Sequence, residues 1–139
     1  MMFEHNVKVV FSYLSPEGNV SHTGYARIFG DVRELFGLEL IPNFKEDVGK
    51  KYLLKTKAAS YSFNKDFFFG DDILVRMYVG EITAASFVLK ANFLNAKTRD
   101  VHAVGEHRIV FTDMLGMPKR LPPELKDLLG KVLEVAEAA

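Results

Sequence analysis

Cysteine is absent from the 139 residues. Disulfides, thiolate chemistry and zinc–thiolate sites are therefore excluded, and nothing demands an oxidising compartment. An excess of one charge is also missing. Lys and Arg number 18, Asp and Glu number 18, and the two signs are interspersed. That balance gives no nucleic-acid footprint. No apolar run approaches the ~18 residues of a membrane span. The opening MMFEHNVKVV carries an acid and a short apolar run, unlike a signal peptide. The expectation is a soluble, cytoplasmic protein without membrane insertion. Asn19-Val20-Ser21 has the form of a glycosylation sequon, which without a secretion signal is read as chance. His5, His22, His102 and His107 are not spaced as a metal cluster, so no metal is expected.

What is present is apolar bulk: 48% of the residues are hydrophobic. This suffices for one core, and residues 1–139 are read as a single domain. The stretch 14–40 organises the rest. Ser15-Pro16-Glu17-Gly18-Asn19 is turn-forming. Tyr25, Ile28, Phe29, Val32, Leu35 and Phe36 then recur at three- and four-residue steps, which predicts a core helix over 22–40. His22, Ala26, Gly30, Arg33 and Gly37 fall in one sector beside that apolar face. Each helical glycine costs about 1 kcal/mol relative to alanine. The sector is therefore expected to admit a ligand or the backbone of a partner chain. Pro42 and Asn43 end the helix.

The remaining pattern is mostly β. Residues 6–13 read as a strand, 44–51 as a surface loop and 52–63 as a long strand. Phe67-Phe68-Phe69 before Gly70 suggests a turn with an exposed aromatic tip. Strands are expected over 73–79, 82–95 and 101–113, with Gly80-Glu81 as a tight turn and Gly105 as a possible bulge. A last helix is expected from 122 to about 136. Consecutive hairpin-linked strands argue for an antiparallel sheet. The predicted class is α+β, a curved antiparallel sheet wrapped around one long central helix, with a C-terminal helix.

Three pieces of sequence carry a family resemblance: SPEGNVSHTGY, YSFNKDFFFGD, and FTD followed by GMP and LP. Together they resemble the hotdog-fold acyl-thioesterases of the 4-hydroxybenzoyl-CoA thioesterase-like group, over nearly the whole chain. That group commonly has an aspartate three residues before the glycine; here the position is Ser15. The run GNV…Y followed by VRELF is similar to the thioesterases of enediyne polyketide biosynthesis. Those also lack the aspartate and are thought to use an arginine on the central helix, which matches Arg33. His22 matches a histidine of members resembling the Tol-Pal-associated thioesterase.

The resemblance implies hydrolysis of a thioester on CoA or an acyl-carrier protein. CoA or phosphopantetheine would arrive as part of the substrate, and no further cofactor is implied. Arg33 is expected to stabilise developing negative charge, together with free helix amides around 20–23. Ser15 and Asn19 are expected to position water, and His22 or Glu17 to take its proton. Asn19 is alternatively a helix cap. Val20, Tyr25, Gly30, Tyr61 and Phe68 are the expected substrate contacts. The fold further implies a homodimer joined edge to edge, and a dimer of dimers. The competing expectation is a thioester-binding or assembly module that has lost its carboxylate. A hotdog dehydratase is disfavoured because no hydratase-type catalytic histidine motif is found.

Overall fold

The structure, a computed structural model, describes residues 2–132. Strand β1 (Phe3–Lys8) leads through a 3-10 turn (Phe11–Tyr13) to helix α1 (His22–Leu40). A short helix α2 (Phe44–Asp47) follows. Then come β2 (Leu53–Phe63), β3 (Asp72–Ile82), β4 (Ser86–Asn95), β5 (Val101–Thr112) and helix α3 (Pro123–Leu129). The five strands form one antiparallel sheet in the order β1-β3-β4-β5-β2.

Helix α1 begins where Ser21 accepts a hydrogen bond from the Gly24 N–H at 2.9 Å, so Ser21 rather than Asn19 is its cap. Ile28, Phe29, Val32 and Phe36 are buried. They meet the inward side chains of the sheet, among them Val75, Met77, Leu89, Phe93, Ala103 and Ile109. The expected sheet-around-helix architecture is the one observed.

Several boundaries differ from expectation. The first strand covers Phe3–Lys8, because the backbone tightens into the 3-10 turn where a strand was expected to continue. Residues 44–47 form α2, and the Phe44 ring explains the deviation. A Cβ on Gly37 would lie 2.5 Å from that ring, so Gly37 is cleared for a side chain of its own chain. Gly80 and Glu81 continue β3 instead of turning. The turn lies between β3 and β4, where the Thr83 hydroxyl bonds Ser86 Oγ at 2.6 Å. Register is continuous at Gly105, which is therefore no bulge; the bulge falls between Thr56 and Ala58 of β2. Phe67 is buried, and only Phe68 and Phe69 stay exposed. The final helix ends at Leu129, and Val135 and Ala136 lie outside the described residues.

Candidate active site

Two grooves border α1. The first, about 530 Å³, lies at its N-terminus and is lined by Ser15, Glu17, Asn19, Val20, His22, Tyr25, Phe63 and Asp66 among others. The turn before the helix is internally bonded. Ser15 Oγ donates to Asn19 Oδ1 at 2.6 Å and accepts from the Glu17 N–H at 3.1 Å. Asn19 Nδ2 in turn donates to Asp66 Oδ1 at 3.1 Å. The Ser15 proton is thus committed to Asn19. Val20 N–H donates to Phe67 O at 2.9 Å and Ser21 N–H to Tyr13 O at 3.1 Å. The expected oxyanion hole over 20–23 therefore narrows. Only the N–H groups of His22 and Thr23 lack a protein acceptor among the described residues. Tyr25, 2% exposed, is the one buried side chain whose polar atom has no partner among the described residues. Burial, and then the charge of Asp66, push its hydroxyl up to about 12.

The second groove, about 540 Å³, runs along the C-terminal half of α1. Phe36, Leu38, Ile41, Phe44, Val48, Leu54, Phe87, Leu89 and Ile109 make it apolar, and Arg33, Glu34 and Lys45 supply its charges. Gly30 lines it, and a Cβ there would meet nothing within 4 Å. Of the two glycines in the cleared sector, Gly30 opens a cavity and Gly37 admits Phe44.

Arg33 stands between this chamber and the sheet. Its Nη1 donates to Thr56 Oγ1 at 2.6 Å and approaches His107 Nδ1 at 3.3 Å, while Nη2 donates to Leu54 O at 2.9 Å. Among the described residues no carboxylate forms an ion pair with it. Burial lowers its pKa, opposed by Glu34 and Tyr61. A guanidinium only donates, so His107 Nδ1 accepts and the ring proton sits on Nε2. That nitrogen donates to Tyr61 Oη at 2.6 Å. Phe29 stacks on the imidazole with centroids 3.7 Å apart. Burial, and then Arg33, hold His107 down to about 4, so it is neutral at ordinary pH.

The β2 bulge makes this relay geometrically available. Thr56 and Tyr61 are an odd number of residues apart, and a regular strand would point them to opposite faces. The extra residue, Lys57, reverses the alternation. Thr56 pairs with Ile109 and Tyr61 with Gly105, both on the inward face of β5. A Cβ on Gly105 would lie 2.7 Å from the Tyr61 ring, so the missing side chain is what lets the phenol lie across β5 towards His107.

The structure brings Ser15, Glu17, Asn19, Val20, His22 and Tyr25 into one groove and Gly30 and Arg33 into the other. Tyr61 joins Arg33 through His107. Phe68 is exposed and lines neither groove. Eleven residues separate His22 from Arg33, about 16 Å along a helix axis. Within one protomer, the helix amides and the guanidinium cannot meet the same carbonyl. Sequence reasoning missed two residues. His107 had a legible signal, since alternation along β5 places it among Ala103, Gly105, Ile109 and Phe111 on an apolar face. Asp66 had none, being one acid in a polar loop. Among the described residues no group of three or more His, Asp or Glu is placed to hold a metal, and no helix is long and apolar enough to cross a membrane.

A sequence model of a family described as the thioesterase-like superfamily matches residues 9–129. A comparison with curated proteins finds no match. Solved structures share the fold at low identity. The dynemicin thioesterase, crystallised in a study of polyene binding, is 20% identical with a TM-score of 0.88, over 98% of this chain and 100% of that one. A hypothetical protein from Staphylococcus aureus in complex with CoA is 16% identical with a TM-score of 0.85, over 97% and 87%. A 1,4-dihydroxy-2-naphthoyl-CoA thioesterase from Synechocystis is 15% identical with a TM-score of 0.80, over 95% and 98%.

Proposed function

Because the chain belongs to the thioesterase-like superfamily, we propose that it hydrolyses an acyl thioester of CoA or of an acyl-carrier protein, as a homodimer whose protomers each supply half of a site. The observation that carries this reading is the Arg33 guanidinium. It is partly buried, held by three neutral acceptors, paired with no acid among the described residues, and set at an apolar chamber of about 540 Å³. Such a volume falls in the range of small-molecule sites, roughly 300–1,000 Å³.

Strand β2 supports the dimer. It is an edge strand with only β5 beside it, and most of its residues are exposed. Lys55, Lys57 and the bulge guard its first half, whereas Ala58, Ala59, Ser60 and Ser62 give the rest of the edge small, exposed side chains. Antiparallel pairing of two such strands about a twofold axis sets the start of one against the end of the other. Arg33 bonds Thr56 and Leu54 near the start of β2, and Phe63 at its end packs on Tyr25. The pairing therefore carries the guanidinium of one protomer towards the helix N-terminus of the other. There the His22 and Thr23 amides and the Tyr25 hydroxyl polarise the thioester carbonyl, Arg33 stabilises the oxyanion, and the chamber behind it takes the acyl chain. The CoA complex of a protein of the same fold favours CoA as the thiol. A dimer of dimers extends the same assembly.

The test is thiol release from a panel of acyl-CoAs and acyl-carrier proteins. Turnover of at least one class is expected. No turnover on any of them would favour the second reading, a thioester-binding module, which the serine at position 15 keeps in view.

A further inference from the structure

The turn before α1 has serine at position 15, and its one acid, Glu17, is exposed with its carboxylate bonded to no side chain among the described residues. A loop distant in sequence brings another carboxylate to the same place. Asp66 lies in the segment after β2, and its Oδ1 accepts from Asn19 Nδ2 at 3.1 Å. The segment is fixed on both sides of it. Asn64 and Lys65 donate their N–H groups to His102 O at 2.8 and 3.1 Å. Phe67 is buried, stacks on His102 with centroids 4.2 Å apart, and accepts the Val20 N–H at its carbonyl. Asp66 is thereby held in the wall of the groove that contains the His22 and Thr23 amides. A second observation points to a ligand there: Tyr25 lines the groove, and its buried hydroxyl has no hydrogen-bond partner among the described residues.

We propose that Asp66 is the general base of the hydrolysis, a carboxylate supplied by the loop after β2 in place of the one absent at Ser15. This assignment rests on the hydrolase reading above. In the first step Asp66 takes a proton from water as the water oxygen bonds to the thioester carbonyl carbon. The carbonyl π electrons move to oxygen, facing the helix amides and the Tyr25 hydroxyl. In the second step the oxyanion collapses, the C–S bond breaks, and the thiolate leaves with the proton held by Asp66. The products are a carboxylic acid and a thiol, and Asp66 is again a carboxylate. Asn19 orients the carboxylate through one oxygen and leaves the other for water. Ser15 fixes Asn19 by filling its amide oxygen.

The experiment compares the full-length protein with Asp66→Asn, which keeps an Oδ1 acceptor for Asn19 and removes only basicity. Thiol release by the variant is expected to fall by about 10²-fold or more. Its dissociation constant for a non-hydrolysable acyl-CoA thioether should change less than threefold. Added hydroxylamine, a nucleophile that needs no base, should restore thiol release. A variant that keeps the wild-type hydrolysis rate overturns the assignment while leaving the hydrolase reading intact. So does a variant that loses hydrolysis and hydroxylaminolysis together, since that pattern marks a structural role. An unmodified protein inert on every thioester removes both.

Discussion

At the scale of single residues, the guanidinium and the imidazole make separate predictions. Arg33→Ala should lower thiol release by about 10²-fold or more, the scale of losing an oxyanion donor. Arg33→Lys should recover little, because one ammonium cannot serve Thr56, His107 and Leu54 from a planar fork. His107 predicts a pH dependence of stability. Its folded pKa, about 4, lies below the ordinary 6.5. Between those values the unfolded chain binds more protons, so stability rises with pH through this side chain. Its contribution is complete above about 6.5 and lost as pH falls towards 4. After solvent screening the span is about 1–2 kcal/mol. Urea melts at pH 4.5 and 7.5 should show it, and His107→Leu should flatten the difference. Arg33 was legible in the sequence because it shares a helical sector with two glycines. Asp66 was not, because its place beside Asn19 depends on a contact between loops 47 residues apart.

At the scale of elements, α1 was the most legible part of the chain, since burial of one face imposes a period that the sequence must obey. The turn between β3 and β4 was misread because Gly80 and Glu81 look like a turn pair, while Thr83 and Ser86 close the hairpin through side-chain bonds. The two glycines of α1 provide an element-level test. Gly30→Leu should leave the melting temperature within a few degrees, as its side chain enters open space. It should selectively reduce turnover of long acyl chains by filling the chamber. Gly37→Leu should instead displace Phe44 and destabilise the fold by about 1–3 kcal/mol. A long-chain profile unchanged by Gly30→Leu would mean that the acyl group lies elsewhere.

At the scale of the whole molecule, strand count and antiparallel sense were readable from turn spacing. The strand order was not, because it depends on which edges the chain ends cover. The order leaves β1 and β2 at the two edges of the sheet, with the relay beneath β2, and the proposed dimer uses the β2 edge. Subunit mixing tests the composite site. Arg33→Ala and Asn19→Ala dimers should each be impaired. Exchanged in equal amounts, they should regain about a quarter of wild-type activity, one intact site in half of the dimers. No recovery after verified exchange, or a monomeric wild-type protein in sedimentation, would end the composite reading. The β2 bulge bears on how this chain tolerates change. Deleting Lys57 removes the one unpaired residue and leaves Thr56 and Tyr61 an even number of positions apart, so a regular strand keeps the pairing with β5 and holds the Tyr61 phenol on the inward side. For a descendant of this sequence, losing one codon there is a lighter event than losing one from a regular stretch of the sheet, where every later side chain would change face.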